Sequence, residues 1–244
     1  MINTYKESSL HRTLKNLYAL EEGSKTEAVA DGHIYDILTK DGNVIEIQTQ
    51  NLGKLLEKIQ DALAKNRKCK IVHPLIAAKT IETYSEDGIL LKKSRSPKKA
   101  NEYTLLKELT GIFPVLPEKN FSLEILFVRT TEIRKKTETP EQSENKRRRF
   151  KKDWQKTDKK LNEIIETKIF SYPKSYLELL PRGLPEEFCS KDITELLKKD
   201  KSKPKNAGSF ANLIAWLFSR TGIFEQTKTK GRAKFYRISK MKEK

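Results

Sequence analysis

Residues 34–50, IYDILTKDGNVIEIQTQ, decide the fold that we expect for this chain. The stretch is typical of two short apolar strands joined by a tight turn, in which an Asp-Gly pair supplies the positive φ angles that such hairpins need. Asp36 lies in the first strand and Glu46 in the second. Paired strands can point one acid each into a common cleft, and carboxylate oxygens are the ligands that Mg²⁺ prefers. The exposed face of an ordinary hairpin is the alternative for these two acids.

The segments around this hairpin alternate between helical and strand-like patterns. Apolar residues recur at helical spacing in residues 5–22 and again in residues 51–65, where Asn51 is a suitable N-cap. Further strands are predicted over 25–31, 70–77 and 121–129, a second hairpin over 79–93, and a helix over 105–112. This order predicts an α/β fold in which a mixed sheet is flanked by helices.

The charge of the chain points to a polyanionic partner. The 244 residues carry a net charge of +17, and Lys and Arg outnumber acids along the whole length. Such a field attracts nucleic acid, although a merely solvated basic surface is the alternative. The two cysteines are far apart and lack a metal-ligand pattern, so the sequence indicates neither a zinc site nor a disulfide framework. The N-terminal stretch lacks the apolar run of a signal peptide, and no stretch approaches a membrane span, so we expect a cytoplasmic protein without membrane contact.

The second half of the chain is more polar. Residues 135–145 contain Pro140 and few apolar side chains, which indicates a linker. Residues 146–152, KRRRFKK, are a basic arm that leads into a helix predicted over 153–170. We expect three parts: a domain over 1–134, a basic linker and helix over 135–170, and a second domain over 171–244.

The two acids and their spacing resemble the PD-(D/E)XK nuclease superfamily. In that pattern an acid on one strand is followed, about ten residues later, by Glu-x-Lys on the next. Asp36 takes the first position and Glu46-Ile47-Gln48 the second, so that glutamine replaces the lysine. An acid in the preceding helix is common in the superfamily, and Glu7 matches it, although an acid favoured by the helix dipole is the alternative. The resemblance covers residues 1–134 and implies a restriction-endonuclease-like fold.

This resemblance implies hydrolysis of phosphodiester bonds with Mg²⁺ or Mn²⁺ as cofactor. Asp36, Glu46 and the Ile47 carbonyl would be the direct metal ligands, and Glu7 would bind through water or hold a second ion. Gln48 would orient the attacking water or a phosphate oxygen, since an amide does not titrate. The three histidines do not cluster in the sequence; His11, one turn after Glu7, could contact phosphate.

Residues 171–244 resemble a winged-helix DNA-binding domain. The helices over 190–199 and 209–221 would form a helix-turn-helix, and 223–238 the wing; a packing domain that binds a protein is the alternative. Across the chain, the residues predicted to contact nucleic acid are Lys98, Lys99, Arg147, Arg148, Arg149, Lys203, Lys205, Ser209, Asn212, Lys228, Lys230, Arg232 and Lys234.

Three hypotheses follow from these observations. The first is a metal-dependent DNA endonuclease targeted by the winged helix. The second is an inactive nuclease-fold protein that binds DNA or regulates another process, which the glutamine at position 48 keeps open. The third is an RNA nuclease, because contacts to the 2′-hydroxyl cannot be read from sequence. Restriction, repair and mobile-element roles all stay open, as does a homodimer.

Overall fold

The computed structural model describes residues 7–20, 23–97, 100, 102–144, 146, 148–200, 204 and 206–240. Its helices are α1 (Ser9–Tyr18), α2 (Leu56–Ala64), α3 (Glu102–Leu109), α4 (Ser190–Lys199) and α5 (Ala207–Arg220), with 3-10 turns over Leu52–Leu55, Phe113–Val115 and Pro173–Leu179. Its strands are β1 (Lys25–Ala30), β2 (His33–Leu38), β3 (Val44–Ile47), β4 (Cys69–Tyr84), β5 (Leu90–Arg95), β6 (Phe121–Glu141), β7 (Lys152–Phe170), β8 (Phe188–Cys189), β9 (Phe224–Lys230) and β10 (Ala233–Ile238).

The large sheet is mixed, and helices cover both of its faces, so the predicted α/β class is confirmed. Its order in the described chain is β1-β2-β3-β4-β6-β7, with β5 paired to β4. The strands β1, β2 and β3 pair antiparallel, whereas β3, β4 and β6 run parallel. A parallel neighbour needs a crossover connection, and α2 supplies it between β3 and β4.

The central hairpin forms as its turn residues predict. The Thr39 carbonyl accepts the Gly42 N–H at 2.9 Å, and Gly42 adopts a φ of 75° that suits glycine. One face of the sheet then packs against α2 and α3. The opposite face packs against α1, where Leu10 and Leu14 form a buried cluster with Ile47. The candidate site lies at this hairpin, between the two helical layers.

Residues 135–141 of the predicted linker form a strand, and the predicted helix over 153–170 is wrong, because this segment is also a strand. Residues 135–141 continue β6, and β7 runs antiparallel to it along nearly its whole length. Bulges in this pairing shift the alternation of β7, so that Leu161 and Ile164 come to the same face. Their spacing of three therefore mimics the period of a helix.

The start of the helix after the hairpin also differs from the prediction. Asn51 does not cap it: its φ is 58°, in the left-handed region, and its side chain makes no capping hydrogen bond. A 3-10 turn over Leu52–Leu55 precedes α2 instead. Within the described residues, α1 is also shorter than the helix predicted over 5–22.

The C-terminal residues form two helices against a small sheet of order β8-β10-β9. Both predicted helices and the predicted hairpin are present. Buried residues of this part belong to the same core cluster as those of the large sheet. The Phe113 and Trp216 rings meet edge-on with their centres 5.2 Å apart, and the Tyr176 and Phe170 rings stack with their centres 5.2 Å apart. None of the described helices is long and apolar enough to cross a membrane.

Candidate functional site

The regular backbone pairing between β2 and β3 stops at the two predicted acids, and we call this gap between the strands the opening. Regular pairing includes Ile37 opposite Ile45. Beyond that pair, the Asp36 N–H donates to Glu46 Oε1 at 3.1 Å, and the Ile47 N–H donates to Asp36 Oδ2 at 2.8 Å. Each carboxylate thus replaces a backbone acceptor across the gap. The structure therefore brings Asp36, Glu46 and the Ile47 main chain together.

A lysine of α2 holds Glu46 from the side of the main core. Glu46 is 2% exposed, and its Oε1 lies 2.6 Å from Lys58 Nζ. Burial raises the pKa of Glu46 to about 7, even though the charge of Lys58 lowers it. Lys58 was not among the site residues predicted from the sequence. Its position was the available signal, since it falls three residues after Leu55 and four before Ala62, inside the buried stripe of the helix.

His11 holds the other side of the opening. Its Nε2 lies 2.7 Å from the Ile47 carbonyl oxygen and 3.5 Å from Asp36 Oδ2, while its Nδ1 bonds to Glu7. All of these neighbours are acceptors, so both ring nitrogens carry protons and the ring is an imidazolium. Burial lowers the pKa of His11, but Asp36 and Glu7 outweigh burial and raise it to about 9.

Glu7 reaches the opening through His11. Lys15 also binds Glu7, at 2.9 Å, and bridges to Glu27 at the same distance.

Burial raises the pKa of Asp36, but the His11 and Ile47 hydrogen bonds outweigh it and keep the pKa below its usual value. Asp36 is therefore ionised at neutral pH.

The atoms predicted to bind a metal at the opening are all oxygens. They come from the carboxylates of Asp36 and Glu46 and from the Ile47 carbonyl, which suits a hard cation. In the described part of the chain, no group of three or more His, Cys, Asp and Glu side chains is arranged to hold a metal ion. The predicted ligand set depends on the main-chain carbonyl as its third member.

Gln48 lies at the edge of a neighbouring cleft. Its side-chain amide donates to the Asn51 carbonyl at 3.2 Å, and its N–H donates to the Val72 carbonyl at 3.0 Å. The cleft, of about 660 Å³, lies between the end of β3 and the end of α3. Its walls are polar and include Gln48, Thr49, Gln50, Asn51, Lys54, Lys107, Glu108 and Thr110.

The described residues among those predicted to bind nucleic acid lie on three parts of the chain: the β6–β7 hairpin, α5 and the β9–β10 hairpin. Lys98, Lys99, Arg147, Lys203 and Lys205 lie outside the described residues. The others that stand exposed are Arg149 at the tip of the β6–β7 hairpin, Ser209 and Asn212 on α5, and Lys228, Lys230, Arg232 and Lys234 on the β9–β10 hairpin.

Two of the predicted contacts are already engaged within the chain. The Arg148 guanidinium lies 4.1 Å from the centre of the Trp154 ring and donates to the Trp154 carbonyl at 3.1 Å. Lys228 forms an ion pair with Glu187. Both side chains therefore have partners within the chain, although among the described residues only the charge of Lys228 is balanced by an acid.

The raised pKa of His11 predicts a pH-dependent stability. The folded-state pKa of about 9 exceeds the ordinary value of 6.5, so protonated His11 stabilises the fold fully below pH 6.5. This contribution is lost as pH rises through about 9. Melting temperatures measured across that window should fall for the parent and fall less for His11→Gln. An equally steep decline in His11→Gln would contradict the assignment.

Comparisons with known proteins assign no chemistry to this site. Residues 8–171 match the model of a family described as a domain of unknown function, DUF8091, and the match ends directly after β7. An uncharacterized protein of Treponema pallidum (strain Nichols) is 28% identical over 236 residues, which cover 97% of this chain and 87% of the relative. No solved structure matches the chain.

Proposed function

The chain belongs to the DUF8091 family, and from its candidate site we propose that it is a metal-dependent DNA endonuclease that hydrolyses phosphodiester bonds. One observation carries the proposal: the ladder between β2 and β3 opens at Asp36 and Glu46, and the two carboxylates cross the gap beside the Ile47 carbonyl. The two carboxylates replace backbone acceptors here, and burying their charge carries a desolvation cost that regular backbone pairing of the hairpin would avoid.

The charges around the opening support a cation site. Asp36 and Glu46 are close together and largely buried, and like charges so placed repel unless cations compensate them. His11 and Lys58 supply that compensation at the same oxygens that would hold a metal. Mg²⁺ or Mn²⁺ fits this all-oxygen donor set and would displace the His11 and Lys58 side chains from it.

Each side chain at the opening has a distinct role in the proposed reaction. Asp36, Glu46 and the Ile47 carbonyl would hold the ion, which when bound lowers the pKa of a water and neutralises charge on the phosphate. Lys58, once released from Glu46, would bring a positive charge to the phosphate and so take the part of the missing lysine. Gln48 can orient a water or a phosphate oxygen but cannot remove a proton.

Charge and the C-terminal elements support DNA as the substrate. The net charge of +17 favours a polyanion. The helices α4 and α5, followed by the β9–β10 hairpin, have the element order of a winged helix. Ser209 and Asn212 stand exposed on α5, and Lys230 and Arg232 stand exposed on the hairpin. This part would place the nuclease-like sheet on DNA.

The second candidate function is a DNA-binding or regulatory protein whose nuclease-like site is inactive. The contact that favours it is the bond from the Gln48 amide to the Asn51 carbonyl, which keeps that side chain at the neighbouring cleft. An RNA nuclease is the third candidate, since none of the contacts named here distinguishes a ribose from a deoxyribose.

Incubation with supercoiled plasmid tests the proposal directly. With Mg²⁺ or Mn²⁺ we expect nicked and linear products, and with EDTA none. A parallel RNA substrate of the same sequence separates the DNA and RNA hypotheses. Binding to DNA without cleavage under either metal would reject the nuclease and favour the inactive protein.

A further inference from the structure

The strands β4, β6 and β7 continue beyond the packed core as a polar sheet. The apolar cluster under α1 ends on these strands at Val128 and Leu161. Beyond that point, directly paired residues share a face, and one face carries cations on adjacent strands. Lys79 lies opposite Thr130, Lys159 lies opposite Glu132, and Lys156 lies opposite Arg134. We call this surface the basic sheet face, with Lys79, Arg134, Lys136, Arg148, Lys156 and Lys159 as its cations.

A tryptophan organises the outer end of this face. The Trp154 ring lies between two guanidinium groups, with Arg134 at 3.6 Å and Arg148 at 4.1 Å from its centre. Stacking holds both guanidinium planes in fixed positions. Arg134 uses Nε and Nη2 on Glu132, and Arg148 uses Nη1 on the Trp154 carbonyl, so within the described residues Nη1 of Arg134 and Nη2 of Arg148 are left for a phosphate. Two pre-oriented guanidiniums are well suited to phosphate oxygens.

The charges on this face are not balanced from within the chain. Its acid, Glu132, is already paired with Lys79 at 2.7 Å and with Arg134 at 2.6 Å. Lys156 and Lys159 are left without a carboxylate partner in the described part of the chain. The cross-strand pair of Arg134 and Lys156 is a like-charge pair, which destabilises a sheet.

The excess positive charge on this face helps to lower the pKa of Lys159. Burial, together with the charges of Lys156 and Lys79, lowers the pKa of Lys159 to about 8, although Glu132 opposes the shift. An arrangement that costs stability in the free protein is explained if an external anion completes it.

The basic sheet face also leads toward the candidate site. Asp158, the neighbour of Lys159, accepts hydrogen bonds from the Ser9 N–H at 2.9 Å and the Ser9 hydroxyl at 2.5 Å. Two residues further along α1, His11 contacts Asp36. The first turn of α1 therefore connects the cationic surface with the opening at the two acids.

We infer that the basic sheet face binds the phosphate backbone of a DNA duplex and guides it to the opening at Asp36 and Glu46. The inference rests on the proposed function for its substrate. It adds a binding surface on the large sheet itself, apart from the C-terminal hairpin and helices. The partner is recognised by the charge and spacing of its phosphates rather than by its base sequence.

A charge-matched pair of double variants tests this surface. Lys156→Gln/Lys159→Gln removes two cations of the face. Lys135→Gln/Lys160→Gln removes two exposed cations from the opposite face of the same strands, where Lys135 pairs with Gln155 and Lys160 with Thr131. Affinity for a labelled DNA duplex is measured by fluorescence anisotropy in EDTA, from about 50 to 200 mM salt.

The first double variant should bind roughly 10- to 100-fold more weakly near 0.1 M salt, and its slope of log K against log salt should fall by about 1.8. The control should keep the slope of the parent. Thermal melting should show Lys156→Gln/Lys159→Gln to be at least as stable as the parent, because like-charge crowding is relieved.

Three results would overturn the inference: no binding of the duplex by the parent, an equal loss of slope in both double variants, or weaker binding that accompanies a lower melting temperature. Since EDTA prevents cleavage, the outcome does not depend on nuclease activity. The parent could fail to cut DNA while only Lys156→Gln/Lys159→Gln shows a smaller slope of log K against log salt. That result would reject the proposed nuclease function and support the basic sheet face as a DNA-binding surface.

Discussion

Replacing Asp36 with Asn, or Glu46 with Gln, should lower the rate of plasmid cleavage by about a hundredfold to a thousandfold. A carboxylate that holds the metal contributes several kcal/mol to the transition state, and each 1.36 kcal/mol is a factor of ten. Both amides keep an oxygen that can accept the cross-strand N–H bonds of the opening. The fold should therefore persist, and the loss should appear in cleavage rate and in Mg²⁺ affinity.

Asp41→Asn is the matched control, because Asp41 lies in the exposed turn of the same hairpin. It removes one negative charge within a few residues of the site and should leave cleavage unchanged. Initial rates from gel assays, with DNA affinity measured separately in EDTA, distinguish catalysis from binding. If Asp36→Asn and Glu46→Gln cut as fast as Asp41→Asn, the assigned metal site is wrong.

Tyr176→Ala should lower the free energy of unfolding by about 3–5 kcal/mol, the usual cost of removing a large buried aromatic side chain. Tyr176 is fully buried and stacks on Phe170, at the junction between the large sheet and the C-terminal part. Because one core cluster runs through both parts, the loss should appear in a single cooperative unfolding transition.

Tyr176→Phe separates packing from the hydroxyl. The Tyr176 hydroxyl is buried and has no hydrogen-bond partner in the described structure. Removing it should leave stability unchanged or raise it, since an unsatisfied buried hydroxyl costs about 1–3 kcal/mol. Urea denaturation of both variants measures the difference. A loss in Tyr176→Phe as large as in Tyr176→Ala would show that the hydroxyl has a partner.

Local patterns predicted the elements whose signals are contained within a few residues. The turn at Gly42, the alternation of the central hairpin and the amphipathic stripes of α1 and α2 are all of this kind. The strand β7 was misread because its face pattern depends on bulges that form only against β6. Asn51 was misread as a cap because the same residue type also tolerates the left-handed φ that it adopts before the 3-10 turn.

For the candidate site, the sequence by itself determined that Asp36 and Glu46 lie on neighbouring antiparallel strands, because two short strands around a tight turn must pair. Only the tertiary structure decided what surrounds them. Lys58 arrives on α2 and His11 on α1, from opposite faces of the sheet, and their contacts with the acids depend on helix packing. Spacing along a chain predicts which neighbouring strands pair, but it does not predict how the helices pack on the faces of the sheet. The cations that hold the two acids were therefore visible only in the folded protein.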